Sequence, residues 1–191
     1  EEQLALDRKV AERENLSLRT VQGDMRDLST FTDASFDLIV HVTSNVFCPA
    51  IRPVWSECHR VLRGGGELLA GFMNPSYFLF DHAALDRGDA PVITYSLPFS
   101  DKKDLSPVQV RKLLDEQDLI EYSHSLEVQI GGQTDAGFHL IGFFEDSWEE
   151  AQPIDNWFKT MMNSRARKAE DTPPSQACQP LSPENQREST P

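Results

Sequence analysis

The chain has 191 residues, 39% hydrophobic and 26% charged, with a formal net charge of -13 at pH 7. That is enough for one domain with a core, and so acidic a surface repels phosphate backbones, which argues against nucleic acid as a partner. Cys48, Cys58 and Cys178 form no Cys-x-x-Cys pair and no apolar run approaches ~20 residues, so a disulfide framework, a zinc site and a membrane span are not expected; nor is a signal peptide, and a cytoplasmic protein is.

Gln3 to Glu14 has helix-forming composition, with Leu6 and Val10 one turn apart. Leu16 to Gln22 alternates and predicts a short strand ending at Gly23-Asp24. A polar, turn-rich stretch from Met25 to Ser35 follows. Phe36 to Thr43 is a nearly continuous apolar run, the pattern of a strand buried on both faces of a parallel sheet. Ile51, Val54, Trp55, Cys58 and Leu62 recur at helical spacing, with Pro53 in the first turn and Gly64-Gly65-Gly66 as the stop. Glu67 to Met73 reads as the next buried strand.

Asn74 to Asp104 shows no period and carries Pro75, Pro91 and Pro98, which predicts an insertion or lid. Ser106-Pro107-Val108-Gln109 is a capping box that opens a helix to about Gln117. Glu121 to Ile130 and Phe138 to Glu145 read as an antiparallel pair around a Gly-rich turn at residues 131–137. A short helix is expected within residues 147–163, holding Trp157, Phe158, Met161 and Met162. Residues 164–191 read as a disordered tail in which Arg165, Arg167 and Lys168 are solvated. Residues 1–146 form the domain. Strands alternating with helices imply an α/β fold with a mostly parallel sheet.

Gly23-Asp24-Met25, then Phe36-Asp37-Leu38-Ile39-Val40, then the run from Glu57 through Arg60-Val61-Leu62-Arg63-Gly64-Gly65-Gly66 to Leu69 resemble the middle motifs of class I S-adenosylmethionine (SAM)-dependent methyltransferases. Gly64 stands where the family usually has proline. The resemblance extends more weakly to Glu145. It implies a Rossmann-like sheet of order 3-2-1-4-5-7-6 with an antiparallel terminal hairpin, of which this chain supplies strands 3 to 7. The family's glycine loop, strand 1 and strand 2 are missing, since no glycine precedes Gly23 and the chain opens Glu1-Glu2-Gln3. A truncated chain of this kind is expected to bind SAM negligibly by itself.

By the same resemblance, the Asp24 carboxylate accepts the adenine amino hydrogen and the Met25 backbone N–H meets a ring nitrogen. Carbonyls near His41 and Val42 face the cofactor's amino group, in a cofactor set that includes Asn45. Ser44, Asn74 and Tyr77 belong to the substrate side. On the residues alone, Asp24 equally caps a turn, and His41 is either a general base or a satisfied strand-end histidine. Phe47 either covers the adenine or packs under the helix, and Phe78 is either a substrate contact or buried. Trp55 reads as helix core and Asp37 as structural. Cys58-His59 and His82 lack ligand spacing, so no metal is expected. The glycine triplet lacks the Lys and Ser/Thr of a phosphate loop. The expected activity of the parent protein is methyl transfer from SAM to a small molecule or protein side chain. The rivals are a non-catalytic methyltransferase-like scaffold that binds a protein partner and a nicotinamide-dependent oxidoreductase.

Overall fold

In the computed structural model, residues 2–116, 118–148 and 153–170 are described. The first helix, α1, covers Glu2–Arg13. Strand β1 is Phe36–Val42, and helix α2, Arg52–Val61, leads directly into strand β2, Leu62–Met73. Pro53 lies in the first turn of α2, where its missing N–H costs nothing. Val54, Trp55, Cys58 and Val61 form the helix's buried stripe.

Short helices α3 (His82–Asp86) and α4 (Asp101–Asp104) lie within the expected insertion. Helix α5, Pro107–Asp115, opens on the expected capping box: Ser106 Oγ accepts the Gln109 N–H while Gln109 Oε1 accepts the Ser106 N–H. A π-helical turn, Glu127–Gly131, continues into α6, Gly132–Asp135. Strands β3 (Phe138–Asp146) and β4 (Met161–Lys168) complete a sheet of order β1-β2-β4-β3.

β1 runs parallel to β2 with His41 opposite Ala70, while β4 lies antiparallel between β2 and β3. In the family's numbering this is 4-5-7-6, terminal antiparallel pair included. The core packs α2 on one face of the sheet: Ile51, Val54, Trp55, Cys58, Leu62, Leu68, Ala70, Phe138 and Ala166 are all buried in one cluster. Each large apolar side chain so placed contributes about 1.5–3 kcal/mol of transfer free energy. A smaller cluster of Val46, Met73, Phe78 and Phe99 sits beyond the strand ends.

Several expectations are corrected. Leu16 to Gln22 is not a strand: these residues join no sheet, so strands 4 to 7 of the family order are described and strand 3 is not. β1, an edge strand among the described residues, is not buried on both faces. Leu38, Val40 and Val42 are 52%, 60% and 67% exposed, because only the Ile39 and His41 face meets the core and its aromatic residue Trp55.

Gly64-Gly65-Gly66 lies inside β2 and does not end α2. Phe36 pairs with Leu62 but Leu38 with Glu67, so the glycines absorb a register irregularity, with Gly65 at φ 76°. Glu121 to Ile130 is not a strand either; its second half is the π-helical turn, and the Gly-rich turn is mostly α6. Among residues 147–163, Met161 onward belongs to β4, preceded by a 3-10 turn at Pro153–Asn156. The basic residues are structural: Arg165 and Arg167 both grip Glu67, and Lys168 Nζ donates to the carbonyls of His59 and Leu62 at the end of α2. The disordered tail expected over 164–191 is corrected at its start, since Ser164 to Lys168 belong to β4; residues 171–191 lie outside the described residues.

Candidate functional site

β1 ends at Val42, and Thr43 turns the chain through a left-handed conformation, φ 49°, into a 3-10 turn at Ser44–Phe47. The turn carries Asn45 back beside the strand it has just left. Asn45 is fully buried. Its Oδ1 accepts a hydrogen bond from His41 Nε2 at 2.7 Å, and its Nδ2 donates to Gln129 Oε1 at 2.8 Å. The Asn45 amide therefore fixes the histidine tautomer, leaving Nδ1 as the basic nitrogen. Burial holds the His41 pKa below the ordinary histidine value, partly offset by the Asn45 bond, so the ring is neutral at pH 7. Trp55 packs edge-on against it, with centroids 5.4 Å apart.

The hydrogen-bond chain continues inward. Gln133 Nε2 donates to the Gln129 carbonyl at 3.0 Å, and Ser164 Oγ donates to Gln133 Oε1 at 3.0 Å. Gln129, Gln133 and Ser164 are all buried. A continuous polar line thus crosses the core from β1 to β4. His124 Nε2 secures the same turn by donating to the carbonyls of Cys48 and Asn45, at 2.8 and 3.1 Å.

Asp24 lies on a separate loop, closed by a bridge between Asp24 and Asp27. Its carboxylate is held by Arg26, with Nη2–Oδ2 at 2.6 Å, and also accepts the Arg26 N–H. These bonds lower the Asp24 pKa to about 2. Met25 packs against the main core cluster. Val42 points its side chain to the open face, and Ser44 is half-buried at the head of the 3-10 turn. Asn74 follows β2, and its side chain is engaged at both ends: Oδ1 accepts the Ser76 N–H and Nδ2 donates to the Lys159 carbonyl.

Tyr77 opens onto a cavity of about 650 Å³ beyond the strand ends. Phe47, Phe78, Phe80, Tyr95 and Phe99 complete its aromatic wall. Tyr77 stacks on His82 at 3.6 Å, and burial pushes its hydroxyl up to about 12. Asp101 and Glu121 line the same space. Their pKa values are raised by burial, and Glu121 further by the charges of Asp101 and Asp118.

Of the residues singled out from sequence, the structure brings His41 and Asn45 together and puts Tyr77 and Phe78 on the cavity. It keeps Asp24 paired with Arg26 and spends Asn74 on capping. Gln129, Gln133, Ser164, Asp101 and Glu121 went unnoticed, because each is an ordinary polar residue until the fold buries it. The one available clue was the density of aromatic residues between Tyr77 and Phe99. Among the described residues, no group of three or more His, Cys, Asp or Glu side chains is placed to hold a metal, and no helix is long and apolar enough to cross a membrane.

Residues 1–70 match the family model described as a methyltransferase domain. The chain is 48% identical over 146 residues to the uncharacterized methyltransferase YbaJ of Bacillus subtilis, an alignment spanning 76% of this chain and 57% of that protein. Its fold is similar to that of a SAM-dependent methyltransferase from Mesorhizobium loti, with TM-score 0.55 and 15% identity over 78% of this chain and 68% of that one. A SAM-dependent methyltransferase from Methanosarcina mazei gives TM-score 0.51 and 18% identity over 78% and 66% of the two chains.

Proposed function

We propose that the protein transfers a methyl group from SAM to a small-molecule or protein acceptor, with the acceptor seated in the cavity beside Tyr77; the match of residues 1–70 to a methyltransferase-domain model and the similarity of fold to SAM-dependent methyltransferases support this reading. The observation that carries this reading is the alignment of two features at one sheet edge. The His41–Asn45 pair closes the end of β1, and the aromatic cavity opens past the end of β2, Phe47 belonging to both. Ligands of open α/β sheets bind at that edge.

The donor set fits the cofactor in part. Asp24 offers a carboxylate to an exocyclic amine once Arg26 swings aside, and Met25 offers a backbone N–H. The exits of His41 and Val42 offer carbonyls to an ammonium group. Bound SAM would supply an electrophilic methyl on a sulfonium. The protein's part is to orient the acceptor and keep water out, which the buried Asn45–Gln129 bond and the aromatic walls serve. Neutral His41 is not among the residues lining the cavity beside Tyr77; bonded to Asn45, it holds the end of β1 in place.

In this protein β1 is an edge strand among the described residues, and the groups that would meet the cofactor are few: Asp24, Met25 and the exits of His41 and Val42. The protein's affinity for SAM is therefore expected to be weaker than micromolar. Titration calorimetry with S-adenosylhomocysteine tests both points. Weak binding that is lost in Asn45→Ala supports the reading, and binding indifferent to Asn45 refutes the site.

A second reading, a methyltransferase-like scaffold for a protein partner, is favoured by the exposed Leu38, Val40 and Val42 stripe with Leu69 beside it. Methyl incorporation from labelled SAM into any acceptor would exclude it.

A further inference from the structure

The cavity beside Tyr77 has a chemical character that narrows its ligand. Its floor and walls are rings: Phe47, Tyr77, Phe78, Phe80, Tyr95 and Phe99. Phe78 stacks on Phe99 with centroids 5.7 Å apart, and Tyr95 lies tilted against Phe99 at 4.9 Å. A cavity lined by so many rings has π surface with which a cation can pair.

The charged groups around it are lopsided. Asp81, Asp101, Glu116, Asp118 and Glu121 line the cavity, against Lys112 as its sole lysine or arginine. Lys112 is 72% exposed and turned to Glu116, at 3.7 Å. Asp101 is buried, its carboxylate accepting the Glu121 N–H at 2.7 Å. Glu121 carries the repulsion of Asp101 and Asp118. One buried carboxylate, Asp101, with the half-buried Glu121 and Asp81 and the exposed Glu116 and Asp118 around the same ring-lined space, makes a site of negative potential that an anion or a neutral polar group does not relieve.

We propose that this cavity binds an organic ammonium, and that the methyl acceptor of this protein is an amine. The acceptor assignment rests on the methyl-transfer reading above, whereas the ammonium site stands on the cavity alone. A methyl group reaches nitrogen only through a lone pair, so the bound ammonium first gives a proton to the Asp101 or Glu121 carboxylate. The neutral nitrogen then forms the new N–C bond as the S–C bond breaks, with the bonding pair left on sulfur as a thioether. The nitrogen's new positive charge stays inside the aromatic box.

Three ligands of one shape and different charge test the site on the full chain by calorimetry: phenethylamine, 2-phenylethanol and phenylacetate. Phenethylamine is expected to bind about tenfold more tightly than the alcohol, and phenylacetate not measurably. In the variant combining Glu116→Gln and Asp118→Asn, both at exposed positions, the preference should shrink to about threefold. In one combining Asp101→Asn and Glu121→Gln it should vanish. Equal affinity for amine and alcohol in the unaltered chain, or tighter binding of phenylacetate, overturns the proposal without recourse to any variant. Binding of S-adenosylhomocysteine that is indifferent to Asn45→Ala would sink the methyl-transfer reading and leave the order of these three ligands untouched.

Discussion

The bond between Asn45 Nδ2 and Gln129 Oε1 ties the end of β1 to the π-helical turn across 84 residues of sequence. Both side chains are buried, Asn45 at 0% and Gln129 at 2% exposure, so neither finds water when the other is removed. Gln129→Met keeps the volume and leaves the Gln129 carbonyl in place for Gln133. It strips Asn45 Nδ2 of its acceptor, and an unpaired buried donor costs about 1–3 kcal/mol. For a chain of this size that is roughly 2–4 °C in Tm per kcal/mol.

Asn45→Leu is expected to cost about twice as much, because it orphans both Gln129 Oε1 and the His41 Nε2–H. The double variant leaves only the histidine unpaired. Its loss should therefore fall short of the sum by the cost of two orphaned groups, about 2 kcal/mol or more, at the upper end of the couplings found for direct contact. Urea unfolding followed by circular dichroism and by tryptophan fluorescence measures all four corners of the cycle. Strict additivity, within about 0.5 kcal/mol, would refute the claim that this bond joins the two elements.

Gly132→Ala should destabilise although Gly132 is in right-handed helix, because an added Cβ would lie 2.7 Å from Cδ1 of the fully buried Trp55; a loss of about 1–3 kcal/mol in thermal unfolding is expected, and a gain would contradict the packing. His124, its pKa lowered by burial, binds fewer protons folded than unfolded, so its contribution is complete above the ordinary value near ~6.5 and is lost as pH falls through that value. The Tm of the unaltered chain should thus drop more steeply between about pH 7.5 and about pH 5.5 than that of His124→Gln, which keeps a donor for the Asn45 and Cys48 carbonyls; parallel slopes would dispose of the argument. Val40→Lys should reduce self-association, since it places a charge in the exposed apolar stripe of an edge strand; light scattering that is unchanged, or worse, would show that β1 is not the sticky surface.

What the sequence made legible follows the strength of the apolar period. α2 and the parallel β1–β2 pair carry long apolar patterns that identify them as helix and strands, and they put His41 and Asn45 at the end of the first strand. β4 hides for the opposite reason. Its inward positions, Met162, Ser164 and Ala166, alternate with Asn163, Arg165 and Arg167. The period of two is there, but two of the three buried residues are small and one of those is polar, while the arginines look like a solvated run until Glu67 is seen opposite them.

The segment from Leu126 to Ile130 misleads more instructively, since Leu126, Val128 and Ile130 alternate as a strand would. Two facts from outside the segment override that pattern. Gly132 has no side chain to hold the backbone away, so the segment coils as a helix close against Trp55, whose Nε1–H donates to the Val128 carbonyl at 3.1 Å. The π-helical turn then puts Gln129 inward, where Asn45 supplies its partner. Local alternation loses here to a long-range hydrogen bond whose two ends share no sequence pattern. The polar line at the heart of the candidate site therefore becomes visible only after the chain has folded, whereas the aromatic cavity was half visible in the crowding of rings between Tyr77 and Phe99.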